Sequence, residues 1–194
     1  MNNAPVSATV YIWYPWGGNF GHASMYIGDP TIGRWVEYAC DRFSISGRRS
    51  VYNSSYISWW PSVTAGVFDK AEHHTALFLK EDVVAECARP HVVYTLHGLN
   101  EQGMRTAWLN IRDKPNAHYQ LLRKSCATVV LSVLKAGGAL EKLSLAKRGW
   151  FSNNLYLSPK NVAQVCNELR DAGFATKVKS MRCPEKGAFN FGLR

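Results

Sequence analysis

The chain is short of acidic residues: 14 Asp and Glu stand against 23 Lys and Arg, a formal net charge of +9. Such an excess is typical of proteins with an anionic partner, which here means nucleic acid, a cell-wall polymer or a membrane surface. No RNP-like, helix-turn-helix or zinc-finger pattern is present, so we expect no nucleic acid partner. A soluble basic protein without an anionic partner is the alternative.

Cysteine is also scarce, and the spacing of the cysteines does not suggest pairs. The five cysteines are Cys40, Cys87, Cys126, Cys166 and Cys183. Their number is odd, and no CxxC pair or Cys/His group has zinc spacing. A disulfide scaffold is not expected at this length, and we expect no metal and no cofactor. Apart from Cys126, each cysteine is interpreted as a small buried apolar residue.

The sequence has no long hydrophobic run. No stretch reaches the length of a membrane span, and the first residues lack the charged start and apolar core of a signal peptide. The expectation is synthesis in the cytoplasm without a signal peptide, with any secretion by a route that needs none. Hydrophobic residues make up 46% and aromatic residues 12%. With no repeat or linker, this composition predicts one domain over residues 1–194, acting as a monomer.

The order of predicted elements is strands first and helices afterwards, which favours the α+β class. Segments rich in β-branched and aromatic residues predict strands over 6–14, 22–28, 34–40, 56–61 and 92–96. The polar stretch 41–55 is a loop or irregular hairpin, and His73-His74 is interpreted as a surface loop. Helices are predicted after Asn100, Ser125 and Ser158, with 139–157 as a long connection that is a candidate lid, and a final strand or arm after 173.

The helix after Ser125 carries the strongest chemical signal. Ser125 is a candidate N-cap, Gly137-Gly138 closes the helix, and apolar residues between them follow one face. Cys126 therefore lies on the first turn, at the positive end of the helix dipole. That position favours thiolate over thiol and supplies N–H donors for an oxyanion, so Cys126 is a candidate nucleophile.

A thiol nucleophile needs a base, and His22 is the candidate. It opens a predicted strand directly after the glycine-rich turn that ends at Gly21. Histidine suits the role because its ordinary pKa lies near neutrality. Neither residue alone is specific, because a single histidine in a strand is more often structural than catalytic.

Five motifs in order resemble a known family: Gly21-His-Ala-Ser-Met-Tyr-Ile-Gly28, Tyr56-Ile-Ser-Trp-Trp-Pro61, Tyr94-x-Leu-x-Gly-Leu99, Tyr119-x-Leu-Leu-x-x-Ser-Cys126-Ala-Thr-Val-Val and Leu157-Ser-Pro159. They are similar to circularly permuted, papain-like proteins of the NlpC type, which include effectors of type VI secretion systems. The resemblance implies a central antiparallel sheet with the nucleophile helix packed against it. The permutation places the histidine strand before the cysteine helix, which is the order found here.

By this resemblance Cys126 is the nucleophile and His22 the general base and acid. The group that orients the imidazole is either Glu37, on the strand after His22, or Ser58 in the matching motif. Glu37 is favoured because a carboxylate stabilises an imidazolium better than a hydroxyl does. Two features depart from the family: Ser125 stands where Asn is common, and residues 30–55 separate the histidine strand from the next motif.

The resemblance implies a thiol hydrolase, an amidase or peptidase, and most directly one that cleaves peptidoglycan peptides. Trp16, Trp59 and Trp60 are candidate substrate-binding residues, although an aromatic cluster is more often core. Alternatives on the same fold are an acyltransferase or lipid hydrolase and a host-directed protease or deamidase. A non-enzymatic basic binding module is the third interpretation. An effector of this type implies delivery into a target cell, with an immunity protein and a secretion-apparatus carrier as partners.

Overall fold

A computed structural model describes residues 4–16, 19–30, 41–45, 48–52, 55–62, 69–121, 123–152 and 158–184. They form nine strands: β1 Val6–Trp13, β2 His22–Ile27, β3 Asp41–Ile45, β4 Arg48–Tyr52, β5 Tyr56–Ile57, β6 Trp60–Pro61, β7 His73–His74, β8 Val92–His97 and β9 Ala175–Lys179. The helices are α1 Leu79–Ala85, α2 Glu101–Arg112, α3 Cys126–Ala136, α4 Leu145–Ser152 and α5 Pro159–Asp171, with a 3-10 turn at Leu140–Lys142. The predicted strand 34–40 lies outside the described residues.

A five-stranded antiparallel sheet organises the chain, in the order β5-β2-β1-β8-β9. The long central strand β1 pairs with β2 on one side and with β8 on the other. Residues 6–13 suit this place because they are almost entirely buried apolar or small polar side chains. The α+β class predicted from the sequence is thus confirmed, with an antiparallel sheet and helices.

The two faces of the sheet carry different layers. On one face, apolar side chains of β1, β2 and β8 pack with those of α2, α3 and α5 into the main core. On the other face, a smaller cluster of aromatic side chains packs against Leu79 and Val83 of α1. Its aromatic members are Tyr11, Trp13, Tyr26 and Tyr56. Helices α1 and α3 therefore contribute to different layers, and the sheet lies between them.

The helix caps predicted from the sequence are present. The Asn100 side chain accepts a hydrogen bond from the backbone N–H of Gly103, and Ser125 accepts one from Thr128. Ser158 and Asn161 form a capping box at the start of α5, with Pro159 in the first turn. These side chains satisfy backbone donors that the helices leave unpaired, and this fixes where each helix begins.

Three segments differ in detail from the sequence-based expectation. The predicted strand 56–61 is divided into β5 and β6, because Ser58 and Trp59 leave the ladder. His73-His74, interpreted as a surface loop, forms β7, and it pairs with β6. The long connection 139–157 contains α4, so it is not simply a loop. In two further places the structure agrees with the expectation: β3 and β4 pair as an antiparallel hairpin, and β9 forms the predicted final strand at the edge of the sheet.

Gly21 closes the turn before β2, and we expect its replacement by alanine to destabilise the fold. Its φ is +80°, and an added Cβ would lie 2.6 Å from the carbonyl oxygen of Trp13. Gly173 is a matched control, because its φ is +84° but a Cβ there would meet nothing within 4 Å. Gly173→Ala should lower the free energy of unfolding by about 1 kcal/mol, and Gly21→Ala by about 2–4 kcal/mol. If urea denaturation shows the same loss in the free energy of unfolding for both variants, the close contact at Gly21 does not contribute to the stability of the fold.

Candidate active site

His22 is the first residue of β2 and lies at one end of the sheet. It pairs across the ladder with Trp13, and only 1% of it is exposed. Gly21, with its positive φ, directly precedes β2 and packs closely against the backbone of Trp13. The position of the imidazole is therefore fixed by the start of the strand. A histidine this deeply buried must find polar partners, because an unpaired polar group in the interior is costly.

Cys126 is the first residue of α3, directly after the N-cap Ser125. Its side chain lies close enough to His22 to raise the pKa of the imidazole, through its charge and through a side-chain hydrogen bond. Cys126 is 6% exposed. The first N–H groups of α3 have no carbonyl partner within the helix, and apart from that of Thr128, which donates to Ser125, they are available as donors near the first turn.

Asp82 completes the arrangement from the other face of the sheet. It lies in the middle of α1 and is fully buried. Its carboxylate accepts hydrogen bonds from the Tyr56 hydroxyl at 2.5 Å, the Ser58 hydroxyl at 2.8 Å and the Trp60 Nε1–H at 2.9 Å. All of these groups are donors, which fits an ionised carboxylate, since that group can only accept.

Ser58 links this carboxylate to the histidine. The Nε2 atom of His22 lies 3.2 Å from the Ser58 hydroxyl oxygen and 3.5 Å from Oδ2 of Asp82. Because the Ser58 hydroxyl donates to Asp82, its oxygen can accept a hydrogen bond from the Nε2–H group. The imidazole therefore lies between the Cys126 side chain and the Ser58–Asp82 pair.

The electrostatics of the site favour a charged imidazole. Burial alone would lower the pKa of His22, but the charge of Cys126 and the hydrogen bond to Asp82 outweigh it and raise the pKa to about 10. Burial likewise opposes ionisation of Asp82, yet the hydrogen bond and the charge of His22 lower the pKa of Asp82 to about 2. These two opposite shifts favour an imidazolium beside an ionised Asp82 at neutral pH.

Aromatic rings enclose the imidazole. The Trp60 ring is stacked on it at 4.0 Å between centroids, and the Trp13 ring is tilted against it at 5.7 Å. The same Trp60 donates its indole N–H to Asp82. A half-buried tryptophan that contacts both His22 and Asp82 holds the pair in place and limits the access of water to it.

The three tryptophans predicted to bind substrate lie in different environments. Trp60 packs on His22, as described above. Trp59 is 1% exposed, with its ring stacked on His73 at 3.9 Å, and such burial does not fit a groove wall. Trp16 is 58% exposed, in the turn before β2, and its ring meets that of His91 edge-on.

For the orienting group, the structure adds a residue that the sequence analysis did not consider. Glu37 lies outside the described residues, so its placement stays a prediction. Ser58 does contact His22, and behind it stands Asp82, which the sequence analysis missed. A signal was present: Asp82 is flanked by Leu79 and Val83, so a carboxylate falls on the apolar side of a short helix.

Within the part of the chain that the structure describes, no group of three or more His, Cys, Asp and Glu side chains could hold a metal ion. In the same part, none of the helices is both long enough and apolar enough to cross a membrane. The four cysteines that are described, at 87, 126, 166 and 183, are free thiols.

Comparison with known proteins identifies relatives among bacterial toxins. The family described as the IcsB middle domain matches residues 68–187, which include Asp82 and Cys126 but not His22. The multifunctional-autoprocessing repeats-in-toxin proteins of Vibrio cholerae serotype O1 and of Vibrio vulnificus are each 48% identical over 44 residues. That segment is 23% of this chain, and it spans about 1% of the length of either toxin. No solved structure matches the fold.

Proposed function

Since the chain belongs to the IcsB middle-domain family and shares a segment with two toxins, we propose that it is an enzyme of a bacterial toxin or effector. Its reaction is thiol-dependent acyl transfer, with Cys126 as the nucleophile and water as the acceptor, so it is a cysteine hydrolase. The observation that carries this proposal is the buried line Cys126–His22–Asp82. A thiol, an imidazole and a carboxylate in this order are the parts of a nucleophilic triad.

The first half-reaction forms a thioester. The Cys126 sulfur attacks the carbonyl carbon of an amide or ester, and the electrons of the C=O double bond move onto its oxygen. The backbone N–H groups at the start of α3 stabilise that oxyanion. The carbon–nitrogen or carbon–oxygen bond then breaks, and the leaving group takes the proton from the His22 imidazolium.

The second half-reaction releases the product. His22, now neutral, accepts a proton from a water molecule, whose oxygen attacks the thioester carbonyl. The carbon–sulfur bond breaks, Cys126 leaves as the thiolate, and the acid product departs. The imidazolium is thereby restored beside Asp82. The carboxylate keeps its charge throughout, and it acts by orienting His22 through Ser58 and by stabilising the positive ring.

The substrate follows from the resemblance to NlpC-type enzymes, which points to peptide bonds of peptidoglycan. The net charge of +9 suits an anionic cell wall or membrane surface. As an effector, the protein would act in a target cell after delivery, with an immunity protein protecting the producer.

A second candidate function is transfer of the acyl group to an acceptor other than water. The observation that favours it is the depth of the site, because His22 is 1% and Cys126 6% exposed. A thioester formed there is shielded from bulk water, so an amine or hydroxyl acceptor that enters the site can compete with hydrolysis. The acyl donor in that case is an ester or thioester, as in acyltransferases of related folds.

One set of incubations tests both functions. The wild-type protein and Cys126→Ala are incubated with purified peptidoglycan and, separately, with phospholipid. A cysteine amidase releases peptide fragments from the wall only in the wild type. Fragments seen equally with both proteins would contradict the proposal.

Hydroxylamine added to the same incubations identifies the acyl donor. It intercepts a thioester and yields a hydroxamate, so hydroxamate from lipid but not from wall would show that the acyl group comes from a lipid and would contradict the wall amidase. The rate of Cys126 alkylation by iodoacetamide provides the second measurement. If His22→Ala alkylates as fast as the wild type and neither substrate is consumed, the thiol is inert and both functions fail.

A further inference from the structure

Three large apolar side chains are exposed close to the His22 end of the sheet. Trp16 is 58% and Phe20 84% exposed, both in the turn between β1 and β2, and Met181, just after β9, is fully exposed. Trp16 and Asn19 are joined by two backbone hydrogen bonds, at 3.2 and 2.9 Å. The Trp16 and Phe20 rings are thus exposed beside a backbone that is itself hydrogen-bonded, and a docking role would explain this exposed apolar surface.

The two segments meet at His91. The Trp16 ring approaches the His91 ring edge-on at 6.4 Å between centroids. On the other side, the backbone N–H of Ser180 donates to the His91 carbonyl at 2.9 Å. The turn and the segment after β9 therefore flank the same residue and form one continuous surface.

The charged residues on these segments are cations. Arg89, Lys179 and Arg182 are exposed on the same segments. Residues 14–22, 87–91 and 175–184 contain no Asp or Glu at all, although the whole chain has 14. We call Trp16, Phe20 and Met181, together with these three cations, the docking face.

We propose that the docking face binds an anionic membrane surface. Tryptophan and phenylalanine favour the interface between headgroups and acyl chains, and methionine adds a flexible apolar contact. Lysine and arginine beside them attract anionic lipid headgroups. An acidic protein partner would satisfy the cations, but it would not explain rings that project from a turn.

Membrane binding through the docking face would also determine where the proposed reaction takes place. Phe20 lies two residues before His22, on the same turn that opens β2. Insertion of this turn into an interface would therefore set the catalytic end of the sheet against the membrane. Substrates anchored in that membrane, or a wall polymer lying on it, would then be presented to the site at high local concentration.

Vesicle co-sedimentation tests the docking face with the full chain. The probes are vesicles of phosphatidylcholine alone and of phosphatidylcholine mixed with phosphatidylserine. We expect binding to the mixed vesicles to be roughly tenfold tighter or more, and to weaken as salt is added. Phe20→Ala combined with Met181→Ala should lower that affinity by roughly tenfold.

The matched control replaces two exposed apolar residues elsewhere, Val84→Ala with Leu145→Ala, which are 68% and 82% exposed. It should bind vesicles as the wild type does. The proposal is overturned if the wild type binds neither vesicle, if the two vesicles are bound equally, or if the control loses as much affinity as the test variant. Absence of any vesicle binding would leave an acidic protein as the partner of this face.

Alkylation of Cys126 by iodoacetamide is measured on the same variants. Its rate should be unchanged in the Phe20 and Met181 variant, because neither side chain belongs to the triad. If the Phe20 and Met181 variant loses vesicle binding but keeps its thiol reactivity, the result bears on the docking face alone. If His22→Ala loses thiol reactivity, the result bears on the reaction. The two proposals therefore fail separately.

Discussion

Replacing Asp82 with asparagine should abolish most of the activity and also destabilise the fold. The carboxylate accepts hydrogen bonds from Tyr56, Ser58 and Trp60, and it balances the charge of His22. The asparagine amide carries no charge, and its NH₂ group is a donor placed where Tyr56, Ser58 and Trp60 also donate. Breaking a buried pair in this way costs about 3–5 kcal/mol, and loss of an oriented imidazolium lowers the rate by about 10²- to 10⁴-fold.

The neighbouring acid provides a matched control. Glu81 lies next to Asp82 on α1 but is exposed, and its side chain accepts a hydrogen bond from the Leu77 backbone. Glu81→Gln keeps an oxygen for that bond, so the free energy of unfolding should change by less than about 0.5 kcal/mol. Unfolding by urea measures the stability of both variants, and iodoacetamide alkylation of Cys126 measures the site. If Asp82→Asn matches Glu81→Gln in both measurements, the carboxylate does not position His22.

The same substitution has a signature in pH. The pKa of Asp82 is lowered from 3.8 to about 2 in the fold, so its contribution to stability is present above pH 3.8 and is lost as the pH falls towards 2. The pKa of His22 is raised from 6.5 to about 10, so its contribution is present below pH 6.5 and is lost as the pH rises through 10. The stability gap between wild type and Asp82→Asn should therefore be widest between pH 3.8 and 6.5.

Cys126→Ala is the second large effect, because it removes the nucleophile and changes the titration of His22. Thioester formation should cease altogether, with a loss of turnover of about 10⁶-fold. The charge of Cys126 and its hydrogen bond are two of the causes that raise the pKa of His22. Without them the pKa should fall from about 10 towards the ordinary value. NMR of labelled histidine, followed across the pH range, measures this directly.

Cys166→Ala is the control for Cys126→Ala. Cys166 is also a buried cysteine, on α5, and burial raises the pKa of its thiol. Its replacement opens a cavity of the same size in the main core but touches neither His22 nor Asp82. The titration of His22 should stay at its wild-type position. A His22 that titrates near 6.5 in the wild type would mean that the thiolate–imidazolium pair does not form.

Local signals in the sequence predicted much of the fold. Asn100, Ser125 and Ser158 are caps whose effect depends on residues within one turn, so the starts of α2, α3 and α5 follow from short stretches of sequence. Strands β1, β2 and β8 follow in the same way from β-branched and aromatic residues. His22 and Cys126 were identified because each stands at the first position of such an element, where its environment is set locally.

Asp82 was missed because nothing local reveals its partners. It is separated from His22 by 60 residues, and only the packing of α1 on the aromatic face brings them together. A helix of seven residues is too short for its apolar periodicity to show in the sequence. Neither the helix nor the face that it buries could therefore be predicted. Ser58 was weighed as a partner of His22 through the motif that contains it, but the carboxylate behind it lies in a stretch that matched no motif. Tertiary packing, which decides such contacts, is the part of the structure that patterns do not encode.

The candidate triad draws on three elements in chain order: β2, then α1, then the start of α3. Residues 22 and 126 are far apart in the sequence, and contacts over such separations are typical of chains that fold slowly. The Cys126 side chain therefore meets the imidazole only once β2 and α3 are packed together. An unfolded copy would lack this contact, so the proposed activity would depend on the native state. The reactivity of one cysteine can therefore serve as a clock for folding, readable with a single alkylating reagent.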